Sequence, residues 1–115
     1  MQHEEDREQA MLCQWLDAKG YLYFAIPNGG ARNAVTGALL KKTGVKAGVP
    51  DMFVCEPHGT RSGLFIEMKR EHGGTVSQNQ KKWIAELEAK GYRAVVCRGF
   101  IDATRRVEEY FDIGG

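Results

Sequence analysis

The stretch LFIEMK, residues 64–69, decides how this sequence folds. Its apolar and branched residues predict a strand, and the side chains of a strand alternate between its two faces. The even-numbered residues would face one side, while Phe65, Glu67 and Lys69 face the other. The sequence therefore predicts a strand that buries one face and carries a carboxylate and an amine as neighbours on the opposite face.

Three further short runs predict the rest of the sheet. Residues 52–55 are apolar and are separated from 64–69 by the turn-like EPHG of residues 56–59, which predicts an antiparallel hairpin. Residues 21–26 are aromatic and branched and end at PNGG, which predicts the first strand. Residues 92–97 predict the last strand, placed parallel to 64–69 by a right-handed crossover.

Helices are predicted on either side of these strands. Residues 4–18 have Leu12, Trp15 and Leu16 at helical spacing. Ser77 is a typical N-cap for a helix that runs to about residue 90 with Trp83, Ile84 and Leu87 on one apolar face. Residues 102–111 predict a terminal helix. Residues 35–42 could form a short helix, although glycines at 37, 44 and 48 interrupt any regular pattern. The expected order is helix, three strands, helix, strand, helix, in one α/β domain over residues 1–115 with a small mixed sheet flanked by helices.

The composition is that of an ordinary soluble globular domain. Of the 115 residues, 43% are hydrophobic and 27% are charged, and no apolar run has the length of a membrane span. The acidic start MQHEED is unlike a secretory signal, so we expect a cytoplasmic protein without a membrane partner. The three cysteines, Cys13, Cys55 and Cys97, lack zinc-site spacing and are predicted to be buried free thiols.

Charge is unevenly distributed along the chain. Residues 1–17 contain five acids and one base, whereas residues 18–50 contain five bases and no acid. A polyanion could bind the second segment while the whole molecule keeps a net charge of only +1. A solvated basic loop would explain the same pattern.

The carboxylates of Asp51 and Glu67 and the amine of Lys69 suit phosphodiester hydrolysis. That reaction needs a cation on the phosphate oxygens, a positioned water and positive charge near the phosphorus. Asp51 begins the strand before Glu67, so pairing of the two strands could bring both carboxylates to one magnesium ion. A surface Glu/Lys pair and a turn aspartate would account for an isolated pattern of this kind.

The pattern is not isolated. The sequence has GVPD at 48–51, IEMK at 66–69, VSQNQ at 76–80, IPNGG at 26–30 and an N-terminal helix. Together these motifs resemble the VRR-NUC family of the PD-(D/E)xK nuclease superfamily, over most of the chain. The resemblance implies a restriction-endonuclease-like core with the element order α-β-β-β-α-β-α.

The resemblance also implies roles for individual residues. Asp51 and Glu67 would bind a catalytic Mg²⁺, for which Mn²⁺ could substitute, together with the backbone carbonyl of Met68. Lys69 would orient or activate the attacking water. Gln80 would support the active site, unless it is an ordinary helix-surface amide.

Family members have a further glutamate in the first helix that reaches the metal site. Glu4, Glu5 and Glu8 are the candidates here. We favour Glu5, because it shares a helical stripe with Gln9, while Glu8 stays open. A solvated acidic first turn, favoured by the helix dipole, would explain all three.

Contacts with DNA are expected from two segments. The loop that contains Asn28 and Arg32 could bring backbone amides and a guanidinium to a phosphate. A simple strand-ending turn would explain its glycines equally well. Lys41, Lys42 and Lys46 belong to the acid-free segment and could bind the DNA backbone.

These observations predict a magnesium-dependent, structure-selective DNA endonuclease that leaves a 5′ phosphate and a 3′ hydroxyl. A homodimer that resolves branched DNA such as four-way (Holliday) junctions is one expectation, because symmetric cuts need two active sites. The alternatives are a monomeric nuclease for flaps or single strands, a non-catalytic DNA-binding module on the same fold, and a structural or interaction protein.

Overall fold

The computed structural model describes residues 3–27 and 34–113. The helices in this part of the chain are α1 (His3–Lys19), α2 (Ala34–Lys42), α3 (Gln78–Ala89) and α4 (Phe100–Tyr110). The strands are β1 (Tyr23–Ala25), β2 (Met52–Val54), β3 (Leu64–Lys69) and β4 (Arg93–Arg98).

The four strands form one mixed sheet in the order β1-β2-β3-β4. β2 pairs antiparallel with both β1 and β3, and Met52 lies opposite Ile66. β4 pairs parallel with β3 after the crossover through α3, and Glu67 lies opposite Val96. The predicted hairpin and the predicted parallel last strand are both confirmed.

One face of the sheet carries the hydrophobic core. Leu64, Ile66 and Met68 project from β3 onto α1 and α4, and all three are buried. Leu12 and Leu16 of α1 and the stripe Ala103, Val107 and Tyr110 of α4 complete the same cluster. Since side chains alternate along β3, Glu67 and Lys69 lie on the other face, toward α3.

The element order is as predicted, with the addition of α2 in the segment where a short helix stayed open. β1 is shorter than residues 21–26, although Cys55 N–H still donates to Leu22 and Ile26 N–H to Asp51, each at 2.7 Å. α4 begins at Phe100, two residues before the predicted start at Asp102. The Asp102 carboxylate accepts from Arg98 N–H at 2.8 Å, so it binds the end of β4 from within the first turn of the helix.

A close contact fixes the segment before Asp51. Gly48 has φ +91° and lies against the first turn of α3, where an added Cβ would be 2.7 Å from Asn79 Cβ and 2.9 Å from its carbonyl carbon. No other residue type meets both requirements without strain. The contact therefore fixes how Asp51, three residues later, lies relative to α3.

We expect Gly48→Ala to lower the free energy of unfolding by more than Gly44→Ala does. Gly44 also has a positive φ, +103°, but an added Cβ there meets nothing within 4 Å. Gly44→Ala should thus cost only the backbone strain, roughly 1–2 kcal/mol, and Gly48→Ala that strain plus the clash with Asn79. Urea unfolding of both variants measures the difference, and equal losses would mean that α3 moves away from Gly48 at no cost.

Candidate active site

Glu67 is the centre of a polar cluster on the α3 face of the sheet. Its side chain is 3% exposed, and its Oε2 accepts a hydrogen bond from Gln80 Nε2 at 2.9 Å. Lys69 Nζ lies 3.7 Å from the same oxygen. Among the described residues, Glu67 Oε1 is buried and has no hydrogen-bond partner. One oxygen of the carboxylate is thus held by the protein, and the other is left for a further ligand.

Gln80 is oriented by the cap of α3. Its Oε1 accepts from Ser77 N–H at 2.9 Å, while its own N–H donates to Ser77 Oγ at 3.1 Å. This capping box satisfies backbone donors at the helix start and confirms Ser77 as the N-cap. Because the amide oxygen is occupied by Ser77, the NH₂ group is the end that faces Glu67. Gln80 therefore lies in the cluster and is not an ordinary surface amide.

Asp51 is joined to the same strand by its side chain. Its Oδ2 accepts from Met68 N–H at 2.7 Å, which fixes the carboxylate between β2 and β3. The amide of Met68 is thus engaged with Asp51, while a metal contact by its carbonyl oxygen stays a prediction. The structure brings Asp51, Glu67, Lys69 and Gln80 together from three elements of the fold.

Burial makes both carboxylates harder to ionise. The pKa of Glu67 is raised to about 8, first by desolvation and then by the charge of Asp51, while Lys69 opposes the shift. The pKa of Asp51 is also raised by desolvation, against the lowering effect of the Met68 hydrogen bond. Two carboxylates that are both hard to ionise in a partly dry site favour a cation between them.

The donor set fits Mg²⁺. This ion binds oxygen ligands, commonly through one or two carboxylates, and keeps several waters. Asp51 and Glu67 provide two such carboxylates, and the unpaired Glu67 Oε1 is a buried oxygen that a cation would satisfy. Within residues 3–27 and 34–113, no three His, Cys, Asp or Glu side chains form a metal-binding group.

The two glutamates of α1 differ in what they contact. Glu5 lies near enough to Asp51 and Glu67 for its charge to raise the pKa of both. The Glu8 carboxylate instead accepts a short hydrogen bond from Phe100 N–H at the start of α4. Since α4 has Gly99 as its N-cap and no side-chain cap of its own, Glu8 satisfies a backbone donor there. This geometry favours Glu5 as the acid nearer the site.

The predicted DNA contacts fall in different places. Asn28 and Arg32 lie outside the described residues. Lys41 and Lys42 end α2, and Lys46 follows four residues later. Lys41 and Lys46 line a groove against α3, whereas Lys42 is not among its lining residues.

Two residues of this groove were missed by the sequence analysis. Lys82 and Trp83 line its α3 side, between Asn79 and Glu86. The spacing i, i+3, i+4, i+7 could have indicated one helical face. Trp83 was instead assigned to the apolar stripe with Ile84 and Leu87. All three are half-buried, so Trp83 both packs on the domain and reaches the groove.

The comparisons with known proteins agree with this geometry. The family model described as the VRR-NUC domain matches residues 3–101, and the chain belongs to the VRR-NUC family. A solved structure titled "VRR_NUC domain protein" is 27% identical with a TM-score of 0.83, covering 96% of this chain and 90% of the other. A second, titled "VRR_NUC domain", is 20% identical with a TM-score of 0.67, covering 94% and 98%. No curated protein matches the chain.

The family identifies the domain as a nuclease-type, DNA-binding fold. The predicted α/β class with a small mixed sheet is confirmed. None of the described helices has the length and apolar character that crossing a membrane would need. Cys13, Cys55 and Cys97 are free thiols, as predicted, but the predicted burial holds for Cys97 alone, since Cys13 and Cys55 are half-buried.

We expect Glu67→Gln to stabilise the metal-free protein increasingly as the pH rises. The pKa of Glu67 goes from 4.5 to about 8 on folding, so the wild type gains stability from the bound proton at low pH and loses it as the pH rises through 8. A neutral amide has no such loss. The difference in the free energy of unfolding should grow between pH 4.5 and 8 to a few kcal/mol, at about 1.4 kcal/mol per pKa unit.

Urea unfolding in EDTA across this pH range measures the effect. Glu109→Gln, on the exposed surface of α4, is the matched control for losing a carboxylate. A constant difference between Glu67→Gln and the wild type across the range would mean that Glu67 titrates alike in the folded and unfolded chains.

Proposed function

We propose that this protein is a metal-dependent DNA endonuclease that hydrolyses phosphodiester bonds. The observation that carries the proposal is the pairing of the half-buried Asp51 with the buried Glu67, with Glu67 Oε1 unpaired and Lys69 Nζ 3.7 Å from Oε2. Leaving one buried oxygen without a partner costs stability, which is expected where a ligand completes the site.

The residues of the site have different proposed roles. Asp51 and Glu67 would hold Mg²⁺ or Mn²⁺, with Met68 O as a further ligand. Such an ion, when bound, polarises the scissile phosphate and offsets its charge. Gln80 holds Glu67 through one oxygen, so that the other keeps a fixed direction. Glu5 adds negative charge next to both acids.

Lys69 is proposed to act on the attacking water. Its amine lies 3.7 Å from Glu67 Oε2, and it can hold a water by hydrogen bonding and take up or release a proton. The water oxygen attacks phosphorus and gives up a proton, the bond to the 3′ oxygen breaks, and that oxygen gains a proton and leaves as a hydroxyl. The products are a 5′ phosphate and a 3′ hydroxyl.

Selectivity for DNA structure is a second part of the proposal. The described helices pack on the sheet or beside it, so recognition is proposed to depend on backbone charge and DNA shape. A homodimer would place two sites on a four-way junction, whereas a monomer would suffice for a flap. Cleavage of duplex, flap, single-stranded and four-way-junction DNA, with analytical ultracentrifugation of the protein, separates these cases.

We expect Asp51→Asn and Glu67→Gln each to abolish cleavage in Mg²⁺ without unfolding the protein. Each substitution removes a charged oxygen ligand and keeps the side-chain volume, and the amide oxygen introduced by Glu67→Gln can still accept from Gln80. Calorimetry should show weaker Mn²⁺ binding, and circular dichroism an unchanged fold. Glu109→Gln, an exposed control on α4, should cleave like the wild type. Near-normal turnover of either site variant at limiting Mg²⁺ would remove that residue from the ligand set.

Replacing Lys69 by Met should lower kcat by about 10²-fold or more, because the apolar stem is kept and the group that acts on the water is lost. Binding to DNA in Ca²⁺ should change little, since one contact among several is a small share of the electrostatic attraction. Lys90→Met, at the exposed C-cap of α3, is the control. A Lys69→Met protein that binds poorly but cleaves at the normal kcat would move Lys69 from chemistry to binding.

A further inference from the structure

A groove beside the acidic cluster is lined by cations and one aromatic ring. Its volume is about 550 Å³, in the range of sites that hold a group the size of a nucleotide. One wall is α3, and the other is the end of α2 with the loop that follows. The lining residues used below are Lys41, Lys46, Asn79, Lys82, Trp83 and Glu86.

The loop wall has a defined shape. Val45 N–H donates to Leu40 O at 2.9 Å and Gly44 N–H to Lys41 O at 3.2 Å, with Gly44 at φ +103°. This is the Schellman pattern that ends a helix, and it turns the chain so that Lys46 returns toward α3. The backbone turn therefore places Lys41 and Lys46 along the groove, and both side chains carry a positive charge.

Helix stability explains only part of the positive charge of the groove. A cation at the end of α2 is favoured by the helix dipole, so Lys41 has a structural explanation. Lys82, in contrast, lies in the second turn of α3, near the end where the dipole disfavours a cation. No ion pair of Lys82 with an acid is found in the described part of the chain, and Glu86 is the one acid among the lining residues. The groove thus has a net positive charge.

The groove also adjoins the acidic cluster. Asn79 lines it and is the residue against which Gly48 packs, and Gln80, the next residue, binds Glu67. Trp83 is three residues beyond Gln80, about 4.5 Å along the helix axis. A strand with its phosphate at the carboxylates would therefore have a neighbouring nucleotide at the groove.

We propose that this groove binds an unpaired segment of the substrate strand next to the scissile phosphate. A base stacks on the indole of Trp83, and Lys46 and Lys82 contact the flanking phosphates. Aromatic stacking needs a base with a free face, which an unpaired strand offers and a continuous duplex does not. The inference rests on the proposed nuclease function and specifies its substrate: DNA with an unpaired strand at the cleavage position, as at a flap or an opened branch point.

Tryptophan fluorescence in EDTA tests the groove without any cleavage. The chain has two tryptophans, and Trp15 packs against the core with Lys19 over its ring. In Trp15→Phe, Trp83 is the only reporter, and an oligothymidylate of about eight nucleotides should quench it to saturation. A blunt-ended duplex should quench it much less. No change with the oligothymidylate, or equal quenching by the duplex, would overturn the proposal.

Substitutions at the groove give a second measurement by fluorescence anisotropy of a labelled oligothymidylate. Trp83→Leu should weaken binding roughly 10-fold or more, and Trp83→Phe should recover most of the loss because it keeps an aromatic face. Lys82→Gln should make the salt dependence shallower by about 0.7 in log K against log salt. Lys81→Gln, on the neighbouring but different face of α3, should leave that slope unchanged. Wild-type affinity in Trp83→Leu would also overturn the proposal.

Failure of the groove and failure of the nuclease proposal have different signatures. If Trp83 does not respond while Asp51→Asn abolishes cleavage, the nuclease stands and the groove has another use. If Trp83 responds while Asp51→Asn cleaves normally, the groove binds DNA and the assignment of the active site is wrong. On a flap substrate, Trp83→Leu should raise KM more than it lowers kcat, because stacking contributes to binding.

Discussion

The hydrogen bond from Gln80 Nε2 to Glu67 Oε2 joins the first turn of α3 to the central acid of the site. A buried carboxylate is stable in one position only if its oxygens are paired, and this bond provides the pairing for one of them. The same glutamine caps α3 through Ser77, so the start of the helix and the direction of the acid are set together. Glutamate is also common at this capping position, but its carboxylate could not donate to Glu67. Of the two, only the amide side chain can both accept from Ser77 N–H and donate to the Glu67 carboxylate.

Gly48 sets the other half of the arrangement. Because a Cβ there would overlap the backbone of Asn79, the segment before β2 can lie directly on the first turn of α3. Asp51 then follows at the edge of the sheet, where Met68 N–H binds its carboxylate. Two backbone features, a positive φ and one strand amide, thus bring the second acid beside the first. The motif GVPD therefore provides a packing contact at Gly48 as well as the carboxylate of Asp51.

Local sequence was enough to predict most of the fold. The alternation in β3 predicted both its bounds and its two faces, and Ser77 marked the start of α3, because both depend on neighbours a few residues apart. The prediction of α2 stayed open because glycines disfavour a helix. The structure has a helix there nevertheless, and it ends in a Schellman motif. The start of α4 was misplaced because Asp102 looks like a cap, whereas its carboxylate binds β4.

The site was predictable as a set of residues, and its connections were not. Spacing along β3 brought Glu67 and Lys69 together, the predicted strand pairing added Asp51, and the family resemblance added Gln80. The choice between Glu5 and Glu8 depended on Phe100 N–H, 92 residues from Glu8 along the chain, which no local pattern reveals. Likewise Trp83 was assigned to the core stripe, because periodicity cannot tell a half-buried residue that packs from one that also lines a groove.

Charge distribution reconciles an acidic centre with a polyanionic substrate. Asp51, Glu67 and Glu5 together would repel a phosphate, and the net charge of +1 offers little attraction to offset this. Lys41, Lys46 and Lys82 line the groove along α3, and the first turn of α3 contains no acid. The helix dipole adds positive potential at the same place. A strand held there is attracted to the start of α3, where Gln80 binds Glu67, so the lysines can bring phosphate to a site that would otherwise exclude it.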